Sequence, residues 1–374
     1  MVVDLKYRSL TRKSPTGPRA AYLYITMRCN LRCRHCWVES SPVVLADGEM
    51  EVADYQRLLS RLKEGGLEFV KITGGEPAVR PHVLVGLLQV CRNLGMWVSV
   101  ESNGVLLDKA MLKLFRQFGV HNLSISLDFP DPLPHDAFRG QVGAFRAAVG
   151  TIRTARALGL NLVVLSTVLA GTSGNLHELR RLVRFVLEEL KVPTMKIGTV
   201  MPAGRAKSLG SALLLLQNHT ECADMLRVLG TQYPGRISVL LPWSLTNPIE
   251  SPGLVFGRCT ADEIVGVLPD GGISLCGLGI TCRETIVGNA LSEDPLQLWR
   301  ESPFFASIRA LFGGEQGFSG VCGVCVFRRY CANVCPASAY ELRGSFSASY
   351  PTCQELFEAG VFPEEYLLRE AEVQ

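Results

Sequence analysis

From residue 21 to about residue 200 the chain repeats one unit: a short apolar run, a turn, then a longer stretch with apolar residues at helical spacing. Strand candidates at 21–26, 69–72, 97–100, 123–127, 160–168 and 194–200 alternate with helix candidates at 52–64, 83–94, 108–118, 144–158 and 176–190. Strands separated by helices of about a dozen residues predict a parallel sheet with right-handed crossovers. Six such units predict an α/β fold, a partial (β/α)6 barrel of the TIM type. In parallel barrels the chemistry gathers at the C-terminal ends of the strands, so those ends are where functional residues are sought.

The first strand runs directly into Met27-Arg28-Cys29-Asn30-Leu31-Arg32-Cys33-Arg34-His35-Cys36, three cysteines at the spacing C-x3-C-x2-C. A structural zinc site closes with four ligands, and a cubane iron–sulfur cluster is usually held by four cysteine thiolates. Three thiolates leave one metal corner for a group that is not protein. The second strand ends in Thr73-Gly74-Gly75-Glu76-Pro77, where the glycines permit close backbone approach and Glu76 offers a carboxylate to an ammonium group. Ser102 and Asn103 end the third strand, and Ser126 and Asp128 the fourth. These short polar side chains suit ribose hydroxyls or a carboxylate, and equally suit turns and caps. Thr167 closes the fifth strand. After the sixth, Arg205 in Met201-Pro202-Ala203-Gly204-Arg205-Ala206 suits a carboxylate partner and equally a surface turn.

A 374-residue chain with 47% hydrophobic and 20% charged residues has ordinary globular composition. Its net charge of +3 makes no electrostatic case for nucleic acid. The apolar runs are shorter than the roughly 20 residues that span a bilayer, and no secretory-type apolar region follows the basic N-terminus. The expectation is a cytoplasmic chain with no membrane partner. In that compartment thirteen cysteines point to metal rather than disulfides.

Cys91 and Cys222 sit alone in helix-like apolar surroundings and read as core residues. The other late cysteines cluster. A hairpin is expected at 264–276, turning on Pro269-Asp270-Gly271-Gly272 and flanked by Cys259 and Cys276, with Cys282 following. Asp294-Pro295 and Ser302-Pro303 predict helix starts. Then comes Cys322-x2-Cys325-x5-Cys331-x3-Cys335-Pro336, and finally Cys353. Paired cysteines of this kind make closed zinc sites, whereas a cysteine before proline is also where ferredoxin-like runs send a ligand to a second cluster.

Together the C-x3-C-x2-C loop, the Gly-Gly-Glu turn about 40 residues later and the seven-cysteine pattern resemble the radical S-adenosylmethionine (SAM) enzymes with a C-terminal SPASM extension. The resemblance implies a basic N-terminal arm at 1–19, a radical SAM partial barrel at 20–206, a bridging region at 207–258 and a small cysteine-rich α+β SPASM domain at 259–374. It implies SAM and three [4Fe-4S] clusters as cofactors. One cluster would sit on Cys29, Cys33 and Cys36, with SAM on its free iron. One auxiliary cluster would sit on Cys259, Cys276 and Cys335; Cys282 is the expected fourth ligand, and the alternative is an open iron where substrate could bind. The other would sit on Cys322, Cys325, Cys331 and Cys353. SAM would be held by Gly74, Gly75, Glu76, Ser102, Asn103, Ser126, Asp128, Thr167 and Arg205.

The implied activity is reductive cleavage of SAM to a 5′-deoxyadenosyl radical that abstracts hydrogen from substrate. The leading expectation for that substrate is a ribosomally synthesised peptide, crosslinked or oxidised, with a separate leader-recognition protein as a further partner. The alternative is tetrapyrrole or haem side-chain chemistry, or other redox-cofactor maturation. A low-potential donor such as flavodoxin or ferredoxin would supply electrons. A reading from another class is a zinc-stabilised binding module without catalysis. The sequence identifies no catalytic acid or base.

Overall fold

The computed structural model describes residues 16–44, 48–167, 176–201, 203–209, 213–257, 259–313, 316–331 and 334–369. Six parallel strands lie side by side in chain order: β1 (Ala20–Tyr24), β2 (Phe69–Thr73), β3 (Trp97–Ser102), β4 (Asn122–Ser126), β5 (Leu162–Thr167) and β6 (Thr194–Gly198). These are the six expected strands. Their period of two explains the layering. Ala21, Leu23, Val70, Ile72, Val98, Val100, Leu123, Ile125, Leu162, Val164, Met195 and Ile197 enter the core against the helices. The intervening residues, including Tyr22, Tyr24, Lys71, Ser99, Glu101, Ser124, Ser126 and Lys196, face the inside of the curved sheet.

The sheet then continues beyond expectation. β7 (Ile237–Leu240) and β8 (Leu254–Phe256) extend it in parallel from β6, in the region read as a mere bridge. Runs of three or four residues bounded by Pro, Ser and Asn carry too little periodicity to be seen alone. Docking onto β6 is what buries Ile237, Val239 and Leu254.

On the other edge, the expected hairpin forms from β9 (Ile264–Val267) and β10 (Gly272–Ser274), with Gly271 at φ +87° in its turn. β9 pairs in parallel with β1, Ala20 opposite Ile264, and β11 (Gly288–Asn289) adds to β10. The result is one sheet of eleven strands, ordered β11-β10-β9-β1-β2-β3-β4-β5-β6-β7-β8. It runs across the expected boundary at 259.

A helix at Pro132–Arg139 was also not anticipated. The two Pro-marked helix starts are observed: Asp294 Oδ1 accepts from the Leu296 N–H at 2.9 Å, and the Ser302 hydroxyl from the Phe304 N–H at 3.2 Å. Residues 1–15 of the expected arm lie outside the described residues. Residues 16–19 pack on the barrel, where Thr16 donates to the Gly65 carbonyl at 3.1 Å and Arg19 pairs with Glu68 at 3.0 Å. Among the described residues no helix is long and apolar enough to cross a membrane.

Candidate cluster and cofactor site

The chain leaves β1 through Thr26, whose buried hydroxyl donates to Glu49 at 2.5 Å, while the Met27 N–H donates to the same carboxylate at 3.2 Å. Arg80 stands 3.5 Å from Glu49 and donates to the carbonyls of Ile25 at 3.0 Å and Met50 at 2.9 Å. A buried carboxylate is tolerated only with such a partner, so this ion pair pins the entrance of the cysteine loop. Neither residue was picked out from the sequence. Their only signal is position beside two motifs.

The Gly-Gly-Glu turn lies against the same entrance. Gly75 N–H donates to the Thr26 carbonyl at 2.7 Å and Glu76 N–H to the Arg28 carbonyl at 2.9 Å. A Cβ on Gly75 would fall 2.1 Å from the Arg28 oxygen, and Gly74 holds φ +136° with its own Cβ position 2.5 Å from the Thr26 oxygen. The glycines are therefore required by contact between two loops.

Within the loop, Cys29 and Cys33 are 8% exposed and Cys36 is half-buried. Cys29 Sγ accepts from the Leu31 N–H at 3.4 Å and from Asn103 Nδ2 at 3.7 Å. Cys33 Sγ accepts from Arg139 Nη1 at 3.7 Å. Burial pushes the Cys29 thiol up to about 12, with Glu76, Cys33 and Cys36 adding to the rise. Burial also raises Cys33, against the pull of Arg139. Thiols this reluctant to ionise alone become thiolates when a metal replaces the proton. The N–H donors around sulfur are the outer contacts that orient and tune such ligands. The donor set fits an iron–sulfur cluster.

Several of the residues expected to hold SAM also make hydrogen bonds within the fold. The Glu76 carboxylate is 1% exposed and accepts from Ala78 N–H, the Ser102 hydroxyl and Asn103 N–H at 3.0, 2.8 and 2.7 Å. Asp128 is buried against Arg139, whose Nε donates at 2.7 Å, and also accepts from the Thr167 N–H at 2.9 Å. Arg139 holds the Asp128 carboxyl below its usual range despite the opposing effect of burial. Arg205 is a clamp on the cysteine loop: Nε donates to the Cys33 carbonyl at 2.9 Å and Nη2 to the Ser40 carbonyl at 2.8 Å. Its neighbour Pro202 lies outside the described residues. Ser126 and Thr167 are half-buried at the ends of β4 and β5. Arg139, from the unanticipated helix, is the group that sequence reading missed at the heart of the site.

A second set gathers beside β1. Burial first, and the neighbouring Cys276 and Cys335 next, raise the Cys259 thiol; burial and then Cys335 raise Cys276, against the pull of Lys71. Tyr22 and Tyr24 face them, both phenols raised by burial first and by Cys276 next. Gly277 packs so closely that a Cβ there would lie 2.4 Å from the Tyr24 ring and 2.7 Å from Trp37. Tyr24 and Trp37 stand edge to face at 6.2 Å. This aromatic pair therefore separates the loop ending in Cys36 from the Cys276 segment. The Cys282 thiol donates to Glu341 Oε2 at 2.9 Å, beside Thr281 and Lys207.

A third set, Cys322, Cys325, Cys331 and Cys353, lines one pocket with Phe318, Val321, Phe327, Val334, Tyr350 and Phe362. Among the described residues no three His, Cys, Asp or Glu side chains stand close enough to share a single metal ion. The three sets are defined instead by mutual electrostatics and by a shared cavity.

Residues 23–186 match the radical SAM superfamily. The chain is 27% identical over 365 residues to the AdoMet-dependent heme synthase of Nitratidesulfovibrio vulgaris, covering 92% of this chain and 94% of that protein. It is 26% identical over 348 residues to the mycofactocin maturase MftC of Mycobacterium ulcerans, covering 91% and 89%. The fold is shared with Streptococcus suis SuiB, solved bound to its precursor peptide SuiA, at TM-score 0.68 and 18% identity over 91% of this chain and 76% of that one.

Proposed function

We propose that this chain, which belongs to the radical SAM superfamily, modifies a ribosomally synthesised peptide by radical chemistry, forming a crosslink or an oxidised residue. The observation that carries the reading is the three-thiol loop clamped at the C-terminal ends of the barrel strands, with two further cysteine sets brought against the sheet by the extension. SAM bound at a [4Fe-4S] cluster supplies a 5′-deoxyadenosyl radical when one electron is delivered.

In this reading Cys29, Cys33 and Cys36 hold the cluster, and Asn103 and Arg139 direct donors at its sulfurs. The turn at Gly74–Gly75 and the half-buried Ser126 and Thr167 line the SAM side. Arg205 and the Glu49–Arg80 pair hold the backbone of the loop and its entrance in place. The peptide occupies the inner face of the sheet, where closure by the extension excludes water. Cys259, Cys276 and Cys335, and separately the four pocket cysteines, would hold auxiliary clusters, which would supply electron-transfer capacity near the substrate chamber. A low-potential flavodoxin or ferredoxin is the fitting donor, and a separate leader-binding protein the fitting carrier of the peptide.

A second reading, tetrapyrrole side-chain chemistry, is favoured by the near full-length likeness to the heme synthase. Reduced, iron-loaded enzyme with SAM separates the two readings. Release of 5′-deoxyadenosine that depends on a precursor peptide supports the first, and release that depends only on an iron tetrapyrrole replaces it with the second. A colourless protein loaded with zinc and inert toward SAM would remove both.

A further inference from the structure

The inner face of the barrel carries an unmatched positive charge. Lys71 on β2 is neutralised by Glu101 on β3, 3.3 Å away, and lies 4.0 Å over the Tyr22 ring. Lys196 has no such partner. Met195 and Ile197 on either side of it enter the helix-facing core, so strand alternation turns Lys196 inward, where it is half-buried. It makes no ion pair or hydrogen bond with any described residue. The guanidiniums of Arg139 and Arg205 are held by Asp128 and by loop carbonyls, so neither shares its role.

Beside Lys196 in register stand Leu165 on β5 and Ser238 on β7. Ser238 is 2% exposed, and its hydroxyl has no hydrogen-bond partner. Ile237 and Val239 also enter the outer core, so Ser238 too points inward. A buried hydroxyl left unsatisfied is costly unless something completes it. An ammonium and a hydroxyl side by side on adjacent strands are together suited to one acceptor with two oxygens.

We propose that Lys196 and Ser238 form a carboxylate-binding subsite inside the barrel, reading an acidic group of the substrate. The ammonium supplies the charge and the hydroxyl a second donor. The inference rests on the reading of the barrel as the substrate chamber and names one feature of what enters it. A carboxylate is common to an acidic peptide residue and to a tetrapyrrole propionate.

The test uses the full iron-loaded chain and needs no turnover. Binding is titrated for a glutamate-containing peptide and for a propionate-bearing iron tetrapyrrole, each beside its carboxamide form. The acid form of one probe is expected to bind about tenfold more tightly than its amide, the scale of one charge-assisted hydrogen bond. Lys196→Met is expected to erase that difference, Lys196→Arg to keep most of it and Ser238→Ala to reduce it. The preferred probe identifies the source of the carboxylate. Equal binding of acid and amide by the natural protein, absence of binding by either probe, or full discrimination by Lys196→Met overturns the proposal. Failure of both probes to stimulate SAM cleavage counts against the function and is read in a separate assay.

Discussion

At the barrel mouth Cys33 lies 3.7 Å from a buried guanidinium and Cys29 3.7 Å from an amide donor. In the C-terminal pocket the same kind of thiol faces Phe318, Val321, Phe327 and Phe362, with Arg328 also in the lining; the Tyr350 N–H donates to Cys322 at 3.4 Å and the Ser244 hydroxyl lies beside Cys353 at 3.5 Å. The loop offers three thiols and a polar, charge-compensated bed. The pocket offers four thiols and a mostly apolar one that includes Arg328. A cubane takes four ligands, so the pocket can close on its own sulfurs and the loop cannot. The loop thiols lie among charged groups that hold the loop backbone in place, and the pocket thiols lie mostly among packed apolar side chains, with Arg328 beside them.

Four experiments can break or sharpen that contrast. The largest effect belongs to Cys33→Ser, expected to lower SAM cleavage by more than about a thousandfold, or about 4 kcal/mol of barrier. Cys353→Ser is expected to lose about four irons while substrate-independent cleavage survives. Measuring 5′-deoxyadenosine and iron per chain decides it, and equal loss of cleavage in both variants would erase the distinction.

Next is Asp128→Ala, which strands the buried Arg139 beside Cys33. It should cost roughly 3–5 kcal/mol of stability, read by denaturant unfolding. Replacing Arg139 by Met in the same chain should restore part of it. If the single variant is as stable as the parent, the ion pair is not what supports the loop.

A smaller effect concerns acid. His135 is buried and its pKa is lowered to about 4, by burial first and by Arg139 next. The unfolded chain takes up that proton from about pH 6.5, the folded chain only near 4. Stability therefore falls as pH drops through that window and is unaffected above it, by roughly 3 kcal/mol from this residue. His35, which burial likewise lowers to about 4, adds to the same limb. His135→Phe should remove its own share and make this limb shallower. An unchanged slope in unfolding curves between those pH values would shift the cause to another group.

The smallest effect is expected at Cys282→Ser. Because its thiol is bonded to Glu341, iron content should match the parent to within about one iron. Loss of about four irons would return Cys282 to the ligand set.

The six barrel strands were legible because each is a short, largely apolar run of five or six residues between longer amphipathic helices. The cysteine loop was legible from spacing alone. β7 and β8 were not, since runs as short as Leu254–Phe256 become strands only by pairing with a neighbour. Glu76, Asp128 and Arg205 were picked as polar groups at strand ends, and they do lie there. Their partners, however, come from Ser102, Arg139 and the Cys33 carbonyl, at separations of 26, 11 and 172 residues. Composition cannot reveal which of two nearby polar groups will reach the other first.

The letters by themselves determined the alternating barrel, the spacing of the cysteines and the tight loop after β1, because periodicity and spacing are local. Tertiary structure decided which donors are already taken. Only the folded sheet brings Arg139 to Cys33, turns Cys282 toward Glu341 and leaves Lys196 beside an unsatisfied Ser238. Hydrogen bonds and ion pairs between distant segments depend on the relative placement of whole elements, and that placement is a property of packing.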